Sequence, residues 1–306
     1  MRRMHIALGF NIFLEHLLPY ERIEEKGRMA SPPTVQLGGG AWNIAKTLEA
    51  LGVPRRDMSV ISLSSRTGSA DRAAIDFLLQ RERIPHLLLP AKDRAFSSYY
   101  LLPARGRVWA FGDAGGAVRG LSATFRGKLK REGRRADLRV VAEIGDDSRE
   151  LLLARLFLGS RRGRHRSVLI PSAELLRSGN IRSLYPLLDV LAFNEEEGAA
   201  LFKRPVRPGD LLRIPVETVL LTRGPQEAWC KVGGHLYAAR PRPIRKPPYP
   251  GGAGDAALAA FLWMRFWEKA DPERALNFAM TIGRRTLLVP TPYFQSGGRR
   301  AVSGGL

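Results

Sequence analysis

The sequence predicts an α/β protein, with a mainly parallel central sheet, helices on both faces and a small β-sheet projecting as a lid. Three observations carry this reading. Short apolar runs alternate with helical patterns along most of the 306 residues, as in βα units whose strands are covered on both sides. The chain is long enough to bury a large core, as one α/β domain or two small ones. Two β-rich segments, about 21–37 and 96–112, break the alternation.

In chain order the strand candidates are His5–Gly9, Met58–Leu63, Val140–Ile144, Ser167–Ile170, Val190–Phe193 and Thr218–Thr222. The helical candidates are Trp42–Leu51, Asp71–Gln80, Arg149–Leu158, Glu195–Leu201, Asp255–Trp267 and Pro272–Thr286. Of the two interrupting segments, the first is polar, passes through Pro32-Pro33 and ends in a strand-like "TVQL"; the second holds two β-rich runs around a turn at Ala104–Gly106. They read as pieces of the lid, with an ordinary surface hairpin as the alternative. One domain is expected over residues 1–294, followed by a loose Gly/Ser-rich tail at 295–306.

Composition narrows the setting. The apolar share of 44% suits a globular chain, and no apolar run approaches the ~20 residues of a membrane span. The opening "MRRMHIALGF" faintly resembles a signal peptide, but Asn11 and Glu15 interrupt its apolar run and no small-residue cleavage site follows. A single cysteine, Cys230, rules out an internal disulfide framework and a thiolate zinc cluster. A cytoplasmic protein without a membrane partner is expected. The net charge of +20 is concentrated in runs at Arg126–Arg135, Arg161–Arg166 and Arg240–Lys246, a balance that attracts polyanions. No zinc finger, RNP pattern or other reader module accompanies the runs, which fall between apolar segments as solvated loops and helix faces do. Nucleic acid is therefore not the expected partner.

Four spaced motifs carry chemistry. In "LGGGAWNIAKTLEALGV", Gly38, Gly39 and Gly40 precede a helix whose first turn holds Asn43, an amide suited to a hydroxyl; a Gly-rich loop feeding a packed helix is the plainer reading. In "LAFNEEEGAALF", three acids open a helix; they suit its dipole, and Asn194 with Glu197 could also organise hydrated Mg²⁺. In "VLLTRGPQEAW", a strand ends in Thr222 and Gly224, where a hydroxyl and a bare backbone can lie beside a nucleotide, or simply turn into the hairpin "AWCKVGGHLYAA". In "PPYPGGAGDAALAAFLWMRFW", Gly252, Ala253 and Gly254 offer backbone N–H groups at a helix N-terminus, a place for phosphate oxygens. Asp255 beside them reads either as an N-cap or as a base taking a proton from an acceptor hydroxyl.

Taken in this order, GFN, di-glycine with Asn, N-x-x-E, T-x-G and G-A-G-D, the chain resembles the ribokinase-like (PfkB) carbohydrate kinases across nearly its whole length. The resemblance implies the three-layer ribokinase-like fold and Mg²⁺-dependent transfer of a nucleotide's terminal phosphoryl group to a hydroxyl of a sugar, sugar phosphate, polyol or nucleoside. It implies Asp255 as general base and the amides of Gly252, Ala253 and Gly254 as the anion hole. It further implies Asn194 and Glu197 as Mg²⁺ organisers (Asn194 through water), Thr222 and Gly224 as lining for the donor phosphates, and Asn277 near an adenine pocket. Gly38, Gly39 and Asn43 would contact the acceptor, together with Asn11 and Glu15 after the first strand, and lid strands would pair two copies into a homodimer.

The chain departs from the family in three places. Tyr249-Pro250-Gly251 stands where relatives often read D-T-T, which argues against K⁺ activation. The first strand is followed by Glu15 in "GFNIFLE", a spacing more like the ADP-dependent sugar kinases; ATP is the expected donor and ADP the alternative. Trp42 is bulky beside the acceptor loop and would stack on a ring, narrow the site or only fill the core. A catalytically altered, ligand-binding or scaffold protein of the same fold remains the rival reading, and a nucleic-acid-associated basic protein the weaker one.

Overall fold

The computed structural model describes residues 4–10, 12–17, 34–64, 70–90, 98–104, 107–112, 122–159, 165–244, 251–289 and 291–295. The strands follow from two-residue periodicity. In β1 (Ile6–Gly9), Ile6 and Leu8 enter one apolar cluster and Ala7 the other, because successive side chains leave a strand in opposite directions. Burial on both faces is what a parallel sheet covered by helices requires.

From β1 the chain passes through β2 (Phe13–Leu17) and β3 (Thr34–Gly38) into α1 (Gly40–Ala50), then β4 (Met58–Ser64), α2 (Ala70–Glu82) and β5 (His86–Pro90). Next come the hairpin β6 (Ser98–Ala104) and β7 (Arg107–Gly112), then α3 (Ala123–Arg135), β8 (Leu138–Ile144), α4 (Ser148–Leu158), β9 (Arg166–Pro171) and α5 (Ala173–Ser178). The remainder is β10 (Val190–Asn194), α6 (Glu195–Phe202), α7 (Pro208–Leu212), β11 (Thr218–Thr222), β12 (Ala228–Val232), β13 (His235–Ala239), α8 (Ala253–Leu262) and α9 (Pro272–Thr286).

Nine strands form the central sheet in the order β13-β12-β11-β10-β9-β8-β1-β4-β5. Neighbours are parallel from β5 to β11; β12 runs against β11, and β13 turns back against β12 into the direction of the other strands. Residues of α1, α8 and α9 bury their apolar faces in one cluster, and those of α3, α4 and α5 in the other. A second sheet, ordered β3-β2-β6-β7, is parallel at β2–β6 and antiparallel at its outer pairs. This is the lid. Within it, "TVQL" and the hairpin stand where the sequence placed them; residues 21–33 and the turn at 105–106 lie outside the described residues, as does the expected tail beyond Gln295.

All six expected strands of the core are present within two residues of their expected ends. The pattern missed β2, β5, α3, α5 and α7. In α3 the buried positions are Phe125, Leu129 and Gly133, spaced four apart on a helix otherwise crowded with Lys and Arg. So narrow an apolar stripe gives little periodic signal. The basic run at Arg126–Arg135 is thus an exposed helix face, whereas residues 161–164 and 245–246 of the other two runs lie outside the described residues. No helix among the described residues is long and apolar enough to cross a membrane.

The α3–α4 contact depends on Gly133, where a Cβ would come 2.2 Å from the Phe157 carbonyl oxygen. Gly133→Ala must push the helices apart or unseat Phe157, an overpacking cost of about 3 kcal/mol. Thermal unfolding is expected to show a clearly lowered midpoint; an unchanged one would contradict this packing.

Candidate active site

The strand order turns at β1, which lies between β4 and β8. In open α/β sheets the crevice at such a point, outside the carboxyl ends of the strands, is where ligands bind. The lid strand β3 ends there at Gly38, Gly39 caps α1, and the Asn43 backbone N–H donates to the Gly39 carbonyl in the first turn. Asn43 is buried, and its Nδ2 donates to Oδ2 of Asp255 at 2.9 Å, across 212 residues of sequence. Its Oδ1 is buried without a hydrogen-bond partner among the described residues, an unused acceptor in a site otherwise rich in carboxylates.

Asp255 is the third residue of α8 and not its N-cap, which corrects one of the two sequence readings. Gly252 holds the cap position in a left-handed conformation (φ 71°), and no side chain caps the helix. The physical reason lies in the close approach: a Cβ on Gly252 would sit 1.7 Å from the Pro292 carbonyl oxygen. The glycine turns the chain into the helix by itself, and the Asp255 carboxylate is free to reach Asn43. The first four N–H groups of a helix have no acceptor within it, so the amides from Gly252 to Asp255, among them the three expected of an anion hole, make no bond inside α8.

Several carboxylates surround this point. Asp255 is pushed up to about 7, first by burial, then by Glu143, with smaller contributions from Glu197 and Glu15, while the Asn43 hydrogen bond works the other way. Glu197 is raised to about 7 by burial against the pull of its bond from the Asn194 backbone, with Glu143 and Glu196 adding to the rise. Glu15, buried on β2, is raised to about 7 by burial and by Glu143, although Gln36 Nε2 donates to it at 2.7 Å. Gly38 lies directly beside it, with room only for a hydrogen at its Cα.

Glu143 is common to all three, and sequence reasoning overlooked it. It stands near the end of β8 at φ 55°, where the register with β9 shifts between Ala142 and Ile144. Its Oε2 lies 3.5 Å from the Gly40 backbone nitrogen. The signal was present in "VVAEIG": a single acid at the carboxyl end of an otherwise apolar strand.

Asn194 and Glu197 form a reciprocal capping box: Asn194 Oδ1 accepts from the Glu197 N–H at 2.9 Å, and Glu197 accepts from the Asn194 N–H at 2.7 Å. The plain structural role is therefore met, and it also fixes the Glu197 carboxylate at the strand edge. Thr222 lies opposite Asn194 in the sheet register, and Gly224 follows at φ 55°. Between them Arg223 is held by Glu195 at 2.8 Å and stacks 4.2 Å from the Trp229 ring centre. Asn277 is exposed on α9, and its side-chain nitrogen donates to the Glu273 carbonyl of its own helix. Trp42 is a core residue, 2% exposed, which decides among its three readings. Asn11, Tyr249 and Pro250 lie outside the described residues.

Mutually repelling carboxylates suit a hard cation. Among the described residues no cluster of three or more His, Cys, Asp or Glu side chains could hold one directly, so the donor set fits a cation that keeps most of its waters.

The sequence profile described as "pfkB family carbohydrate kinase" matches residues 127–293, more than half of the chain, and the chain belongs to that family. Its fold is shared by phosphofructokinase-2 from Escherichia coli, at 20% identity, TM-score 0.74, and coverage of 97% of this chain and 96% of that one. Adenosine kinase from Sinorhizobium meliloti aligns at 13% identity and TM-score 0.71 over 95% and 96% of the two chains. A probable sugar kinase from Rhizobium etli aligns at 16% identity and TM-score 0.72 over 97% and 96%. No curated protein sequence matches the chain.

The raised carboxylates also set the pH dependence of stability. Asp255 ionises near 7 in the fold against a usual 3.8. Its protonated form therefore favours folding below about pH 4, and this contribution is lost as pH rises to about 7. Asp255→Asn keeps an acceptor for Asn43 and removes the charge. The variant is expected to be more stable than the parent by about 1–2 kcal/mol near pH 8, with the gap closing toward about pH 4. Chemical denaturation at the two pH values measures it.

Proposed function

We propose that the protein is a Mg²⁺-dependent kinase that transfers the terminal phosphoryl group of a nucleotide, with ATP as the expected donor, to a hydroxyl of a sugar, sugar phosphate, polyol or nucleoside. The observation that carries this reading is the Asn43–Asp255 hydrogen bond, which joins the loop leaving the lid to the head of α8. An acceptor hydroxyl lying beside this pair gives its proton to the Asp255 carboxylate as its oxygen bonds to phosphorus and the bond to the nucleoside diphosphate breaks. A base near 7 is matched to this task at neutral pH. Asn43 Oδ1 and the Glu15 carboxylate accept from other hydroxyls of the acceptor and fix its orientation. The amides at Gly252–Asp255 meet the charge on the transferred group, and Thr222 and Gly224 line the donor phosphates. Mg²⁺, held through water by Glu197 with Asn194 and Glu143, would supply neutralisation of the donor phosphates. The single, buried thiol supports a cytoplasmic setting.

Purified protein screened against sugars, sugar phosphates, polyols and nucleosides, with ATP or ADP and Mg²⁺, tests the reading. Asp255→Asn is expected to lower kcat by about 10²–10⁴ while nucleotide affinity is retained. An active variant would remove Asp255 from the role of base, and nucleotide binding without turnover on any acceptor would favour a non-catalytic ligand-binding protein. Because Asp255 must be ionised to accept a proton, kcat/KM is expected to rise with pH and level off above about 7. Glu15→Gln should raise KM for the acceptor by about tenfold and leave nucleotide affinity unchanged; a shift in nucleotide affinity instead would move Glu15 out of the acceptor site.

A further inference from the structure

The amino edge of the central sheet, opposite the site above, holds a cavity of about 230 Å³ between α3, α4 and the start of β8. Arg139, the second residue of β8, lines it and is 3% exposed. One guanidinium nitrogen, Nη1, donates to the Leu158 carbonyl at the last residue of α4, a sound structural reason for an arginine there. That bond uses only part of the side chain: Nε and Nη2 are buried and have no hydrogen-bond partner among the described residues. Asp189 supports the charge from nearby, but its carboxylate is engaged by Arg166 and by the Ser167 N–H. A native buried guanidinium with unused donors needs an explanation.

The rest of the wall supplies one. Lys130 and Arg134, four apart on α3, present two exposed cations to the same cavity, and Arg155 adds a third from α4. His165 also lines it, its Nδ1 donating to the Ala136 carbonyl at 2.8 Å, which leaves Nε2 as the other polar atom of the ring. Among the described residues no carboxylate lines the cavity. By contrast, the larger cavity on the other flank of α3, about 610 Å³, has Lys128, Arg131 and Arg135 beside Glu132, and the buried Arg139 is not part of it.

We propose that the Arg139 cavity is a binding site for a compact phosphate-bearing anion, separate from the phosphoryl-transfer site. A small shift of the Arg139 side chain would turn its planar fork, now buried, toward two phosphate oxygens at the base of the cavity, and Lys130, Arg134 and Arg155 close over the remaining charge. The narrow volume and the buried donor favour a small di- or triphosphate group over a nucleic-acid backbone, which would track the exposed face of α3 on both flanks.

Calorimetric titration of the full chain with inorganic pyrophosphate tests this, using variants that change exposed residues only. Lys130→Gln with Arg134→Gln should weaken the site by about tenfold or more. Lys128→Gln with Arg131→Gln, the same charge change on the other flank, should leave it within about twofold. Pyrophosphate held at the carboxyl edge of the sheet would be untouched by either pair and would remain as a separate binding event. Arg139→Met, with folding checked by circular dichroism, should abolish the site. Equal weakening by both exposed pairs, no effect of the Lys130/Arg134 pair, or no binding beyond the carboxyl-edge event would each overturn the assignment. So would single-stranded DNA that binds with a steep salt dependence, is weakened equally by both pairs and is not displaced by pyrophosphate.

Discussion

The hydrogen bond from Asn43 to Asp255 is the constraint on which the candidate active site depends. It links the first turns of two helices, α1 and α8, that also share one apolar cluster. Each helix start is in turn tied to something else: α1 to the lid through the run of glycines, and α8 to Pro292 through the close approach at Gly252. Moving either residue of the pair would require shifting a whole helix against a packed core. The two atoms are thereby held at fixed separation without a covalent link, which is what positioning for phosphoryl transfer requires.

Charge is distributed unevenly between the two edges of the sheet. At the carboxyl edge, Glu143 lies close enough to raise the pKa of Glu15, Glu197 and Asp255, within a chain whose net charge is +20. At the amino edge, α3 and its neighbours carry an excess of Lys and Arg. The acidic edge resists anions unless a cation accompanies them, whereas the basic edge has no such requirement. A phosphate reaching this protein therefore meets two unlike environments on one scaffold.

The order of motifs made the phosphotransferase fold legible before any coordinates, because strand ends and glycine-led helices leave strong local marks. Thr222 and Asn194 were placed at strand ends by simple apolar runs, and they face each other across β10 and β11. What sequence could not give was contact between distant segments. The partnership of Asn43 with Asp255 is one such case, and the cap at Gly252 another, since that depends on a carbonyl forty residues further along. Glu143 escaped notice because a lone acid after "VVA" carries no periodic signal; its importance comes from three partners supplied by other elements. Helix α3 escaped for the opposite reason, since its charge masked an apolar stripe of minimal width.

The contact between Gly252 and Pro292 places part of the corner between α1 and α8 outside regular structure. Pro292 follows every strand and helix described, and two residues later the Phe294 N–H donates to Thr47 Oγ1, back in α1. One short stretch of irregular chain thus seats the head of α8 and touches α1. The strands and most of the apolar core make no use of it, so this corner can open locally while the sheet stays intact.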